Sequence, residues 1–240
     1  MVTNDSAAGA EVQPTAPDQV LRNALSIALA TGLYAVSFGV LSVAAGFSVA
    51  QTCVMSVVAF TGASQFTFVS VIGAGGSAAA ALAPALLLAA RNALYGISLT
   101  SVLTGSVPRR SLLAQGVIDE TSAMAHAQPA PVAKRRAFEL TAVLLFVGWN
   151  LGTVAGALAG QGLGNPQDLG LDAMFPAVFL ALLAPQLRAT DSRRAALAGG
   201  LLALALVSFV PAGVPIIAAG IPAVPFLVAA HRRGRREANA

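Results

Sequence analysis

The chain is a succession of long apolar runs separated by short polar or glycine-rich breaks. The runs cover about Ala24–Gly46, Val49–Ile72, Ala78–Leu103, Phe138–Gly160 and Leu171–Leu187, then 195–210 and 212–230 on either side of Pro211. A helix of roughly 20 apolar residues crosses the ~30 Å hydrocarbon layer of a bilayer. The pattern therefore predicts an all-α, polytopic membrane helix bundle with six or seven membrane segments. Residues 1–21 are polar, with Asp5, Glu11, Asp18, Pro14 and Pro17, and read as a disordered tail. They lack a basic n-region, so no cleaved signal peptide is expected. Residues 22–231 form the membrane domain, and 232–240 a basic tail.

The breaks carry local signals. Ser48, after Gly46-Phe47, is a plausible N-cap for the second run. That run has Thr61-Gly62-Ala63-Ser64-Gln65-Phe66 at its centre. Two readings are open there: a broken or re-entrant segment whose freed backbone groups meet a ligand, or a small-residue packing face in an unbroken helix. Gly152, Gly156 and Gly160 repeat GxxxG and predict close approach of another helix.

Composition agrees with a lipid solvent. Apolar residues make up 56% of the 240 and charged residues 10%, against roughly 25% charged in soluble domains. The net charge of +4 does not point to nucleic acid, because the basic residues flank apolar runs. Arg109, Arg110, Lys134, Arg135 and Arg136 lie in the 104–136 connection, Arg188, Arg193 and Arg194 in the next basic loop, and Arg232, Arg233, Arg235 and Arg236 in the tail. The loops at 73–77, 161–170 and 211–213 hold no Lys or Arg. The asymmetry places the three basic regions, and the C-terminus, in the cytoplasm. Three full spans before the first basic region would put the N-terminus outside; a re-entrant second segment would return it to the cytoplasm. The rather apolar stretch 111–127 is a further candidate to enter the membrane. The single cysteine, Cys53, reads as a packing residue.

Candidate chemistry resides in polar groups at membrane depth. Arg91 and Asn92 sit mid-way in the third run, and an arginine at a span centre costs at least about 2.5 kcal/mol on insertion scales. Tyr95 and Ser98 share its helical face. Gly62, Ala63, Ser64, Gln65, Arg91, Asn92 and Tyr95 are the candidate substrate-binding residues. Asp119 and Glu120 are candidates for a coupling or counter-charge role beside the plainer reading of a solvated loop, and Asp172 is a further candidate carboxylate for Arg91. Glu139 is expected at the membrane interface, where its charge suits a helix start. Gly62-Ala63-Ser64-Gln65 also permits an intramembrane serine protease, but the histidines, His126 and His231, lie in polar segments. No catalytic residue, metal site, cofactor or nucleotide-binding loop is expected. A non-transporting scaffold or sensor is the other alternative, and it leaves the buried arginine unexplained.

Phe60-Thr61-Gly62-Ala63-Ser64-Gln65-Phe66, followed by Ala90-Arg91-Asn92-Ala93-Leu94-Tyr95-Gly96, resembles the AzlC-type branched-chain amino acid permeases. The Asp119-Glu120 pair, Gly152–Ala157 and Leu171–Ala177 are similar to later motifs of that family, so the likeness runs from about residue 20 to 230. Asn92 stands where members often have histidine. The resemblance implies secondary export of branched-chain amino acids, or analogues such as azaleucine, across the cytoplasmic (inner) membrane. It also implies a small hydrophobic membrane subunit of the AzlD type as partner.

Overall fold

The computed structural model describes residues 16–162, 180 and 183–225. The polar residues 1–15, the greater part of the fifth apolar run, Asp172 and the basic tail lie outside the described residues. The described residues are helical, with no strand among them. Among the described residues, seven helices precede residue 163: α1 Pro17–Ala44, α2 Val49–Val58, α3 Ala63–Gly73, α4 Ala78–Ser98, α5 Val107–Gln115, α6 Asp119–His126 and α7 Pro131–Gly162. A 3-10 turn, Ala184–Arg188, leads to α8, Thr190–Leu206, and α9, Val214–Ala218. Only α1, α4 and α7 are long and apolar enough to cross a membrane among the described residues. Several boundaries differ from the sequence reading: α4 ends at Ser98, short of Leu103, and α8 starts at Thr190, ahead of 195. α1 starts at Pro17, inside the expected tail, and α7 starts at Pro131, ahead of the expected Phe138.

The chain forms two compact units. The first combines the residues up to Gly32 with Asn92–Trp149, and the second combines Leu33–Arg91 with the described residues from Asn150 onward. Helices α1, α4 and α7 contribute to both.

In the first unit, the 104–136 connection is folded into α5, α6 and the start of α7. α6 lies over two apolar clusters. Leu99, Val102, Val117, Ala125 and Phe138 form one, and Val20, Ala24, Met124 and Ala137 the other. The start of α6 is fixed by Thr121, which is fully buried. Its hydroxyl donates to the Gly116 carbonyl (2.6 Å) and accepts from the Ile118 N–H (3.1 Å). Glu139, expected at the first turn of a span, sits in the third turn of α7. There it accepts from Arg109 Nη2 (3.1 Å) and Arg135 Nε (3.0 Å). Gly148 of α7 meets the Ala28 carbonyl of α1, so the two backbones touch.

In the second unit the same two helices stay in backbone contact. A Cβ on Gly156 would overlap the Val36 carbonyl, and one on Gly39 would overlap Thr153 and Ala157 backbone atoms. Gly160 faces Val40. The GxxxG pattern thus serves a neighbour inside this chain. The pairing Val36–Gly156 and Val40–Gly160 makes α1 and α7 parallel. Pro84 sits inside α4, where it cannot donate to the Ala80 carbonyl. Gly213 occupies the space beside that freed carbonyl, which a side chain would fill.

Candidate functional site

The second apolar run is two half-length helices folded back on each other. Helix α2 starts with a capping box: Gln51 N–H donates to Ser48 Oγ (3.2 Å), and Ser48 N–H donates to Gln51 Oε1 (2.8 Å). It ends at Val58, and Ala59–Gly62 are not helical. Gly62 has φ 59°, in the left-handed region that glycine adopts without strain. Helix α3 then returns along the second half of α1. The Phe66 ring stacks on Tyr34 with centroids 4.6 Å apart and meets Phe38 edge-on at 5.3 Å. Phe68 reaches Phe47 at 6.1 Å, and Gly73, the last residue of α3, packs on Ala45 beyond the end of α1. Both α2 and α3 thus have their outer ends at the C-terminal end of α1. At about 1.5 Å per residue each is roughly 15 Å long, half a hydrocarbon layer. This geometry is a re-entrant hairpin.

Its tip leaves backbone groups without helical partners, which lipid cannot satisfy. One side chain serves them. Gln65, 2% exposed, accepts from Gly62 N–H (3.1 Å) and Thr61 N–H (3.5 Å) through Oε1 and donates from Nε2 to the Met55 carbonyl (3.0 Å). The candidate ligand group Gln65 is therefore committed to holding the turn. Thr61 Oγ1 donates to the Ala59 carbonyl (3.1 Å). Ala63 and Ser64 are buried in the first turn of α3. The partly negative end of α2 and the partly positive start of α3 meet here, separated by the four residues Ala59–Gly62. An ammonium and a carboxylate on one small molecule match those two ends.

On α4 and the residue that follows it, the less exposed positions are Ala80, Ala81, Pro84, Ala85, Leu88, Ala89, Arg91, Asn92, Tyr95, Gly96 and Leu99. Their spacing marks one helical stripe. Leu82, Leu86, Leu94 and Ile97 are exposed on the remainder. Arg91 belongs to the inward stripe, not to the exposed one. Asn92 Oδ1 is buried without a hydrogen-bond partner among the described residues. Tyr95 packs on the Leu99–Phe138 cluster of the first unit. Ser98 is exposed, and its hydroxyl turns back to the Tyr95 carbonyl (2.8 Å).

Asp119 and Glu120 form the first turn of α6 and are half-buried, so the solvated-loop reading does not describe them. Carboxylates there suit the helix dipole. On the same helix, His126 Nδ1 lies 2.7 Å from the Ser122 carbonyl. Among the described residues, Ser64 has no hydrogen bond to a histidine.

A buried hydroxyl seam in the second unit was not singled out from sequence. Ser56 Oγ donates to Thr153 Oγ1 (3.1 Å), linking α2 to α7, with Thr52 and Ser42 also fully buried. The i, i+4 spacing of Thr52 and Ser56 was the available signal.

A sequence profile of the AzlC protein family matches residues 26–163. The chain is 31% identical over 197 residues to the inner membrane protein YgaZ of Escherichia coli, covering 78% of this chain and 80% of that one. It is 33% identical over 190 residues to an uncharacterized membrane protein of Archaeoglobus fulgidus (78% and 83% covered). It is 26% identical over 182 residues to one from Helicobacter pylori (75% and 79% covered). No solved structure matches the chain.

Proposed function

From the premise that this chain belongs to the AzlC family of membrane proteins, we propose that it is a secondary transporter exporting branched-chain amino acids or close analogues. It acts as the large component of a two-component exporter, with a small hydrophobic AzlD-type subunit, and not as an enzyme. The observation that carries the reading is the re-entrant hairpin, whose half-helix ends meet at Ala59–Gly62. Substrate carboxylate is taken by the start of α3 at Ala63 and Ser64, next to the Gly62 N–H that Gln65 already occupies. The ammonium is taken by carbonyls at the end of α2. Arg91, on the inward stripe of α4, supplies a carboxylate-binding guanidinium. Asn92 and Tyr95 tune that stripe, and Asp119 and Glu120 serve a coupling or counter-charge role.

Two observations support an orientation. Helices α1 and α7 run parallel, and α7 begins inside the basic connection, with Lys134, Arg135 and Arg136 in its first two turns. With that connection cytoplasmic, the start of α1 is cytoplasmic and the hairpin opens from the opposite side. The C-terminus is cytoplasmic, as its arginines indicate.

The test is leucine efflux from cells loaded with a leucine-containing dipeptide, expressing the chain with its small subunit, with and without a protonophore. Export predicts faster efflux than in the deletion strain. Efflux equal to the deletion strain contradicts it, while efflux unchanged by the protonophore removes proton coupling alone.

A further inference from the structure

Outside the hairpin, the first unit presents an open groove of 320 Å³ lined by Leu103, Val107, Arg110, Ser111 and Ala114. The last four recur at i, i+3, i+4 and i+7 and so form one face of α5. Leu113, off that face, packs against the Leu99–Phe138 cluster and anchors the helix. No residue of α5 is buried, and Val107 and Leu112 are 73% and 75% exposed. A short helix that exposes large apolar side chains beside arginines suits the membrane–water boundary rather than bulk water.

The charges are unevenly satisfied. Arg109 shares Glu139 with Arg135. Arg110, at the groove, has no ion pair among the described residues, and the first turn of α5 holds no acidic residue. Lys134 and Arg136 add positive charge to the same connection. A cation beside an apolar trough complements a phosphate joined to an acyl chain. The volume lies at the low end of the roughly 300–1,000 Å³ of small-molecule sites, enough for a glycerophosphate and the start of a chain.

We propose that the α5 groove is a binding site for an anionic phospholipid. The phosphate sits on the Arg110 guanidinium and the Ser111 hydroxyl, and an acyl chain lies along Leu103, Val107 and Ala114. The site depends on membrane location and not on the transport reading.

The test uses the full chain purified in detergent, with bound lipid counted by native mass spectrometry. Phosphatidylglycerol and phosphatidylcholine with identical acyl chains are offered separately. Wild type retains phosphatidylglycerol preferentially. Arg110→Gln lowers that preference about fivefold, the effect of one basic residue near an anionic surface. Ala114→Phe, filling the trough, lowers retention of both lipids. Arg136→Gln, removing an equal charge outside the groove, leaves the preference as in wild type. Arg110, Ala114 and Arg136 are all exposed, so the variants keep the fold. Equal retention of the two lipids overturns the proposal, as does an Arg110→Gln effect no larger than that of Arg136→Gln. Displacement of phosphatidylglycerol by an equal concentration of inorganic phosphate would make it a phosphate site and also overturn it.

Discussion

Gln65 uses both ends of its carboxamide on backbone, so each replacement removes a different set of bonds. Gln65→Leu keeps the bulk and strands the Gly62 N–H and part of the Met55 carbonyl's bonding. A buried group left without a partner costs about 1–3 kcal/mol, so a loss of about 2–4 kcal/mol is expected, read as a lower melting temperature in detergent. Gln65→Glu keeps an acceptor for the Gly62 N–H; as a carboxylate it has no donor for the Met55 carbonyl, and only as a carboxylic acid, whose O–H can donate there, is it expected to fall between Leu and wild type. Arg91 calls for a different comparison. Arg91→Ala is expected to cut leucine efflux about tenfold or more, the scale of a lost charged hydrogen bond. Arg91→Lys should recover part of it at most, because the planar fork is lost. Unchanged efflux in both would make Arg91 an anchor. At this scale the sequence exposed the unusual residues but not every role. Arg91 was conspicuous as a charge among leucines. Gln65 was conspicuous too, but that its amide spans ten residues back to Met55 depends on a chain reversal invisible to spacing.

The elements divide in the same way. α1, α4 and α7 were legible because about 20 apolar residues suffice to identify a span. The sequence left a break and an unbroken helix both open around Thr61–Gln65; the break lies at Ala59–Gly62, with Ala63, Ser64 and Gln65 already in α3, and Ser48 was legible as a cap. The direction of the chain after Gly62 was not. It is set by Phe66 meeting Tyr34 and Phe38, and by Gly73 meeting Ala45, contacts between residues far apart in sequence. α5 and α6 were masked by the charges around them. The contact between α1 and α7 yields a discriminating pair of substitutions. Gly156→Ala places a methyl on the Val36 backbone and is expected to cost about 3 kcal/mol or more, at the upper end of overpacking because a backbone cannot swing aside. Gly162→Ala, at the end of the same helix with open space around it, should leave the melting temperature unchanged.

For the whole molecule, the central proposal is that the polar hairpin tip, whose helices pack on α1 through Phe66 and on α7 through Ser56, lies at membrane depth. Of the proposed amino-acid contacts, those at the tip sit where helix dipoles end and water must enter from one side. Thr61 is half-buried at that tip, and Cys53 is the chain's single cysteine. A Cys53→Ser, Thr61→Cys variant therefore reports the tip alone. The measurement is its rate of modification by a membrane-impermeant thiol reagent in right-side-out and inside-out vesicles, with and without leucine. The account predicts reaction from the face opposite the basic connection, slowed by leucine and unaffected by glutamate. A tip that reacts from neither face, or at a rate that leucine does not change, would contradict it.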